Sequence, residues 1–468
     1  MFWSLKIILI AVAALTLLVV LAMFLLSRVD TKSRFEAVAS EATGLEVVVN
    51  GSVSIHLFPT LHVALKEVIL RNQQVQIASV NQADIGVEFW PLFRKQIRIT
   101  GMELQNANVE IERNRNGLLN FKNPSRVKHA IAALSLGRVL LTKVTFRYTN
   151  QQTNKEIKAA DCKLDSNDVQ LTEGNSADIM KHLSLVAHVG CAEVRNNLFV
   201  GTDVNFSVAG ERGKFKFTPV TMQMMGGKGS GKIDADFTGT LPEYRIRYAV
   251  KQLHVAELFK SLAPGRAGEG YLDFTTDLSV RGFDANEMTR TAMGEASLHG
   301  ENIELAIGNL DEKLGHYESS QNFNLIDVGA FFIAGPFGTV VTKGYNFAGI
   351  FKNTNGNTQI RTLVSKWKVE KGIARAQDVA LATKENRLAM KGALDFVNKE
   401  FDDVTVAFLD HQGCSRVEQK IVGPFNKPEV EKANVLVSLS GPISNLLGKA
   451  KKSIGIKCVM FYAGSIPS

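Results

Sequence analysis

The 468 residues contain no C-x-x-C pair, no H-E-x-x-H helix and no G-x-S-x-G elbow. These absences remove the usual signatures of structural zinc, zinc proteases and serine hydrolases. Histidine is sparse. The nine residues are dispersed, and His56/His62 and His182/His188 lack the i, i+4 spacing that places two imidazoles on one helical face. Carboxylates such as Asp234, Asp236 and the Asp402-Asp403 pair fall near turns or on alternating positions, and name no reaction. The chain is therefore expected to be non-enzymatic, with no cofactor and no metal. Runs of five or more Lys/Arg are also missing, and the net charge of +8 is scattered among acidic residues. That distribution argues against nucleic acid and leaves a membrane surface open.

One phosphate-loop match is present and fails on inspection. Gly226 to Lys232 satisfies G-x-x-x-x-G-K, but Ile233 stands where Ser or Thr would ligate magnesium. The following KIDADFTG alternates like a strand, whereas a phosphate site needs a helix N-terminus there. A glycine-rich strand connection is the expectation. Cysteine is scarce too: Cys162, Cys191, Cys414 and Cys458. Their positions permit the pairs Cys162–Cys191 and Cys414–Cys458 in an oxidising compartment, or four separate buried thiols.

Long hydrophobic runs are absent except for one. Ile7 to Leu26 is apolar apart from Thr16. Roughly 20 residues at 1.5 Å each make about 30 Å, the thickness of a bilayer's hydrocarbon core. The run is too long for the apolar region of a cleaved signal peptide, and Ala37-Val38-Ala39 lies too far beyond charged residues to serve as its cleavage site. A transmembrane helix over 7–26 is predicted. Its flanks, Lys6 before and Arg28, Lys32 and Arg34 after, leave the side of the membrane open: the basic count points one way, and export of large domains regardless of charge points the other.

After the anchor, DTKSRFEAVASEATG reads as a short helix with Asp30 or Thr31 as cap and Gly44 as stop. Beyond it the hydrophobic period changes from 3.6 to 2. EVVVNGSVSIHLFP reads as a hairpin about Asn50-Gly51. Alternation recurs at Ile85, Val87 and Phe89, at Phe215 and Phe217, and at Ile233, Ala235 and Phe237. A helical interval covers Val255 to Leu262, and SGPISNLLGKAKKS suggests another around Pro442. Apolar clusters stand at Trp90 to Phe93 and at Phe331-Phe332. Helical intervals are too few to connect parallel strands, so the fold class is mainly β with a few helices, arranged as an antiparallel meander. Periodicity leaves open whether a second sheet, a closed barrel, helices or a greasy ligand covers the apolar faces.

The order of these features resembles the AsmA-like family of bacterial envelope proteins. The resemblance is carried by the anchor with EATGLEVVVNGSVSIHLFPTLHVALKEVILRN, and by IASVNQADIGVEFWPLFRKQIRITGMELQNANVEIERNRNGLLNF. It continues in the Met225-Gly226-Gly227-Lys228 turn, and in the distance from VEKGIARAQDVALATKENRLAMKGALDF to VGPFNKPEVE. The resemblance implies a cytoplasmic 1–6, an inner-membrane helix at 7–26 and a periplasmic body. That body would comprise an N-terminal AsmA-like β domain at 27–130, a middle β-rich region at 131–290 and a C-terminal AsmA-like domain at 291–468. It further implies an elongated antiparallel β-groove related to bridge-like lipid transfer proteins, with membrane lipids (phospholipid foremost) and outer-membrane assembly proteins as partners. Oxidised cysteines fit that compartment. The family brings no catalytic residues. Lipid binding or transfer supporting outer-membrane biogenesis is the leading expectation, a non-enzymatic scaffold for porin assembly the alternative, and an anchored envelope hydrolase a third reading. Val47, Val49, Val53, Ile55, Ile85, Val87 and Phe89 are the candidate groove-facing residues.

Overall fold

Strict alternation makes strands, and the computed structural model is strand throughout, with short helices between. It describes residues 45–56, 61–72, 74–88, 99–120, 134–172, 179–196, 199–262, 267–306, 308–312, 356–431 and 460–467, with a few positions between 32 and 40. The apolar run 7–26, the clusters at Trp90 to Phe93 and Phe331-Phe332, the segment around Pro442, Phe89 and Cys458 lie outside the described residues. Among the described residues no helix is long and apolar enough to cross a membrane. The chain divides into two compact units, Met1–Gln223 with Lys232–Thr240, and Met224–Gly231 with Leu241–Ser468.

The first unit is built from β1 (Glu46–Val49), β2 (Val53–His56), β3 (Leu61–Asn72), β4 (Val75–Val87), β5 (Ile99–Arg113), β6 (Leu134–Asn150) and β7 (Lys155–Leu171). A single helical turn, α1 (Ile179–His182), precedes β8 (Leu183–Asn196), β9 (Val200–Glu211) and β10 (Lys214–Met224). Two sequence expectations are corrected here. Asn50-Gly51 is not a hairpin turn, because β1 and β2 both pair with β3, through Val49↔Val68 and Val53↔Leu65. The apolar positions 47, 49, 53 and 55 keep one parity through Gly51, as one interrupted strand must. Gly51 is needed because a Cβ there would stand 2.7 Å from both Cβ and O of Lys66. The meander is also not wholly antiparallel. β5 and β6 pair in parallel, with Leu104↔Leu141 and Val109↔Phe146. The chain between Arg113 and Leu134 is long enough to carry it back to the starting end, which a tight hairpin cannot do. The outer edge of β1 is satisfied by the preceding segment, where Ser40 Oγ and Glu36 Oε1 accept from the amides of Val47 (2.9 Å) and Val49 (2.7 Å).

β11 (Gly227–Asp236) contributes its first half to the second unit and its second half to the first. The second unit continues through β12 (Glu243–His254), α2 (Val255–Leu262), β13 (Gly268–Arg281), α3 (Ala285–Thr291) and β14 (Met293–Leu305). β15 (Thr358–Glu370), β16 (Ile373–Thr383), β17 (Arg387–Asp395), β18 (Glu400–Leu409), β19 (Ser415–Pro424) and β20 (Glu429–Val430) complete it. Each strand from β12 to β20 pairs antiparallel with the next. The main core gathers Leu272, Trp367, Leu381, Met390, Val406 and Ile421 on one face. The other face of β16 to β18 carries Ala380, Ala382, Ala389 and Ala407, small enough for the C-terminal segment to lie flat on it through Phe461 and Ile466. Residues 379–383 of β16 and 404–409 of β18 are therefore buried on both sides and read as nearly continuous apolar text.

Candidate functional site

The first unit carries its apolar residues in rows that cross the strands. One row runs Val53, Leu65, Ala83, Leu104, Leu141, Leu164, Val189, Phe206, each directly opposite the next. Beside it runs Ile55, Val63, Ile85, Met102, Val139, Ser166, Ala187, Val208. A further row links Val47, Leu70, Ala78, Val109, Phe146, Ala159, Val194 and Gly201. At about 4.8 Å per strand, such a row spans roughly 34 Å.

The rows stay on one face because the strands change phase together. Buried positions step by three at Leu65/Val68, Leu104/Ala107 and Leu141/Val144. The residue before the second member of each pair, Glu67, Asn106 or Lys143, has positive φ. Asp203 in β9 does the same. These bulges lie along one line of the sheet, since Gln105↔Thr142 and Asn108↔Thr145 bring Asn106 beside Lys143. A bulge bends its strand and adds twist, and a line of them creases the sheet.

Coverage of this face is uneven. Leu65, Ala83 and Ile85 are completely buried. In β7 to β9, Ile157, Leu164, Val189, Val194 and Phe206 of the same face are only half-buried. Val186, on the opposite face, is 56% exposed. Cys162 and Cys191, opposite each other across β7 and β8, form a disulfide within this half-covered region, flanked by Val144 and Val204. Cys414 is disulfide-bonded as well.

Of the candidate groove residues, Val47, Val49 and Ile85 are buried on this face and Val53 is half-buried. Ile55 and Val87 occupy in-register strand positions opposite Val63 and Leu61. The half-covered residues of β7 to β9 were not among the candidates. Their signal in the sequence is faint, because the rows there pass through Ala159, Ser166, Ala187 and the two cysteines.

The polar face carries ion pairs. Arg138 makes a two-pronged contact with Asp165 at 3.3 and 3.1 Å, and that hydrogen bond holds the carboxyl below its ordinary value. Among the described residues no group of three or more His, Cys, Asp or Glu is arranged to hold a metal ion. The glycine-rich Gly226 to Lys232 run is turn and strand: Met225 and Gly226 have positive φ, and β11 follows. Gly229 and Gly231 lie against the Tyr248 ring, where a Cβ would come within 2.2 Å of its hydroxyl and 2.5 Å of Cδ2. Those glycines make room for an aromatic ring.

A model of the AsmA family matches residues 1–190, which take in the apolar run 7–26, β1 to β7, α1 and the first half of β8. No curated protein and no solved structure matches the chain.

Proposed function

From the match of an AsmA-family model to residues 1–190, we propose that the protein binds or transfers lipids on the apolar face of the first unit. It would act as an inner-membrane-anchored, periplasmic component of outer-membrane biogenesis, without enzymatic activity. The observation that carries the reading is the uneven coverage of the apolar rows. A folded domain normally finishes covering such a face. Here Ile157, Leu164, Val189, Val194 and Phe206 keep part of their surface open in one contiguous region.

The energetics favour an acyl chain there. Full burial of one such side chain is worth about 1.5–3 kcal/mol, so covering the part that remains open on five of them gains about 2–3 kcal/mol. Each lipid methylene that leaves water adds about 0.8 kcal/mol. One leaflet's hydrocarbon is about 15 Å deep, well within the row length. Because successive strands present the same apolar row, a chain can shift along it with little change in buried area, which is what transfer requires.

The test is photocrosslinking in cells, with a photoreactive amino acid at Val189 and, as control, at Val186 on the opposite face. Lipid adducts at Val189 and not at Val186 are expected, and Leu164→Asp should abolish them. Equal labelling at the two positions, or only protein adducts at Val189, would defeat the lipid reading; the second result would favour the assembly-scaffold alternative.

A further inference from the structure

In the second unit the ladder between β16 and β17 is interrupted. Arg375 pairs with Ala393 and Ala380 with Ala389, while Ala376 to Val379 and Met390 to Gly392 between them are out of register. β16 stays paired with β15 on either side of the same stretch, with Ala376 opposite Trp367 and Val379 opposite Ser365. On the β15 side the irregularity is one residue, Gln377, between Trp367↔Ala376 and Lys366↔Asp378, so the wider opening lies on the β17 side. Gly392, at φ +109°, cannot carry a side chain there, since a Cβ would meet Asp403 O at 2.5 Å.

A cavity of about 630 Å³ opens at this break, roofed by the C-terminal residues Met460 to Gly464. Its lining has two cations, Arg375 and Lys391, and no acidic residue. Val379, Met390 and Phe461 supply an apolar wall. The Lys391 ammonium sits 4.7 Å from the centre of the Phe461 ring, on a face that attracts cations without neutralising them. Arg375 has a loose ion pair, 3.9 Å to Asp402, with both side chains about half exposed, and its charge also reaches the Glu370 carboxylate, which Lys368 already engages. The one carboxylate of the roof contact, Asp378, is already engaged: it accepts from the Tyr462 hydroxyl at 2.5 Å and from the Ser465 amide at 3.1 Å. That contact fixes the roof and leaves the two cations to face the cavity.

We propose that this cavity is a binding site for a phosphate group, free or heading an amphiphile, held by Arg375 and Lys391 with its first carbons against Val379, Met390 and Phe461. Arg offers a planar fork and Lys a point charge, the pair of donors that phosphate oxygens take well. The site lies in the second unit and does not depend on lipid binding by the first.

The experiment is calorimetric titration of the purified full chain with two probes, inorganic phosphate and dihexanoylphosphatidic acid. Saturable binding of at least one probe is expected, weakened at least tenfold in the Arg375→Gln/Lys391→Gln double variant. Both side chains are exposed, so that variant should melt like the parent. Asp402→Asn removes the competing carboxylate and should tighten binding, an outcome that a merely structural role for the pair would not give. Binding of the lipid probe alone identifies a headgroup site, and equal affinity for both identifies a free-phosphate site. No binding of either probe, or binding indifferent to the double variant, overturns the proposal. Photocrosslinking at Val189 in the same double variant reports separately on the apolar face.

Discussion

At the scale of single residues, the contact between β11 and Tyr248 shows how a sequence can mislead by composition. Tyr248 is half-buried, its hydroxyl has no hydrogen-bond partner among the described residues, and burial pushes its pKa up to about 12. Leaving a buried hydroxyl unpaired costs about 1–3 kcal/mol, so Tyr248→Phe should raise stability or leave it unchanged, as read by denaturant midpoint. Gly231→Ala should do the reverse. Its Cβ would stand 2.2 Å from the Arg247 carbonyl oxygen, and relieving that clash should cost about 1–3 kcal/mol. Asp236, at the end of the same strand, gives a pH-dependent counterpart. Its carboxylate accepts from the Thr238 hydroxyl at 2.6 Å and the Thr238 amide at 2.8 Å, which lowers its pKa below the ordinary 3.8. A lowered carboxyl stabilises the fold above its unfolded value, and that stabilisation disappears as pH falls through the folded one. With 42% of the side chain exposed, the effect should be about 0.5 kcal/mol or less. The stability gap between the parent and Asp236→Asn should therefore be small at neutral pH and close on acidification.

At the scale of elements, the alternation was legible and its interruptions were not. β1 to β4 use Val, Ile and Leu at strict two-residue spacing, so that part of the candidate face could be read directly. The step of three at Leu65/Val68, Leu104/Ala107 and Leu141/Val144 was written in the sequence as well, but a single step looks like noise. It acquires meaning only when register aligns the bulges of neighbouring strands. The Asn50-Gly51 dipeptide misled for the opposite reason: turn chemistry outranked an unbroken parity across positions 47 to 55. Turns at Arg212-Gly213, Met225-Gly226 and Lys371-Gly372, with both residues at positive φ, lack the Asn or Asp that usually announces such a turn. The crease can be tested by strand phase. Asn106→Val puts a β-branched residue at φ 50° and should cost about 1–2 kcal/mol, whereas Asn106→Gly should be nearly neutral. Deleting Asn106 should be far worse. It would leave Leu104 and Ala107 two apart, the spacing of a regular strand, so β5 would lose its crease while its neighbours keep theirs, and the expected result is a marked loss of stability, read by denaturant midpoint.

For the whole molecule, two independent features bear on compartment. The apolar run at 7–26 has the length of a membrane span, and the body carries disulfides at Cys162–Cys191 and at Cys414. The first closes a loop across 29 residues, worth roughly 3–4 kcal/mol on chain-entropy grounds, and it ties β7 to β8 where the apolar face is least covered. Packing contributes least where the apolar face is half-covered, and the covalent tie supplies stability there that packing does not. Disulfides persist only where the surroundings are oxidising. If the body faces the periplasm, Cys162, Cys191 and Cys414 should resist maleimide labelling in intact full-length protein and react only after reduction. When export is blocked, all three should label without reductant, and unfolding should shift to lower denaturant by the worth of the lost tie. Labelling without reduction in cells whose export is intact would place the body on the reducing side of the membrane. The half-covered face would then have to take its lipid from the cytoplasmic leaflet.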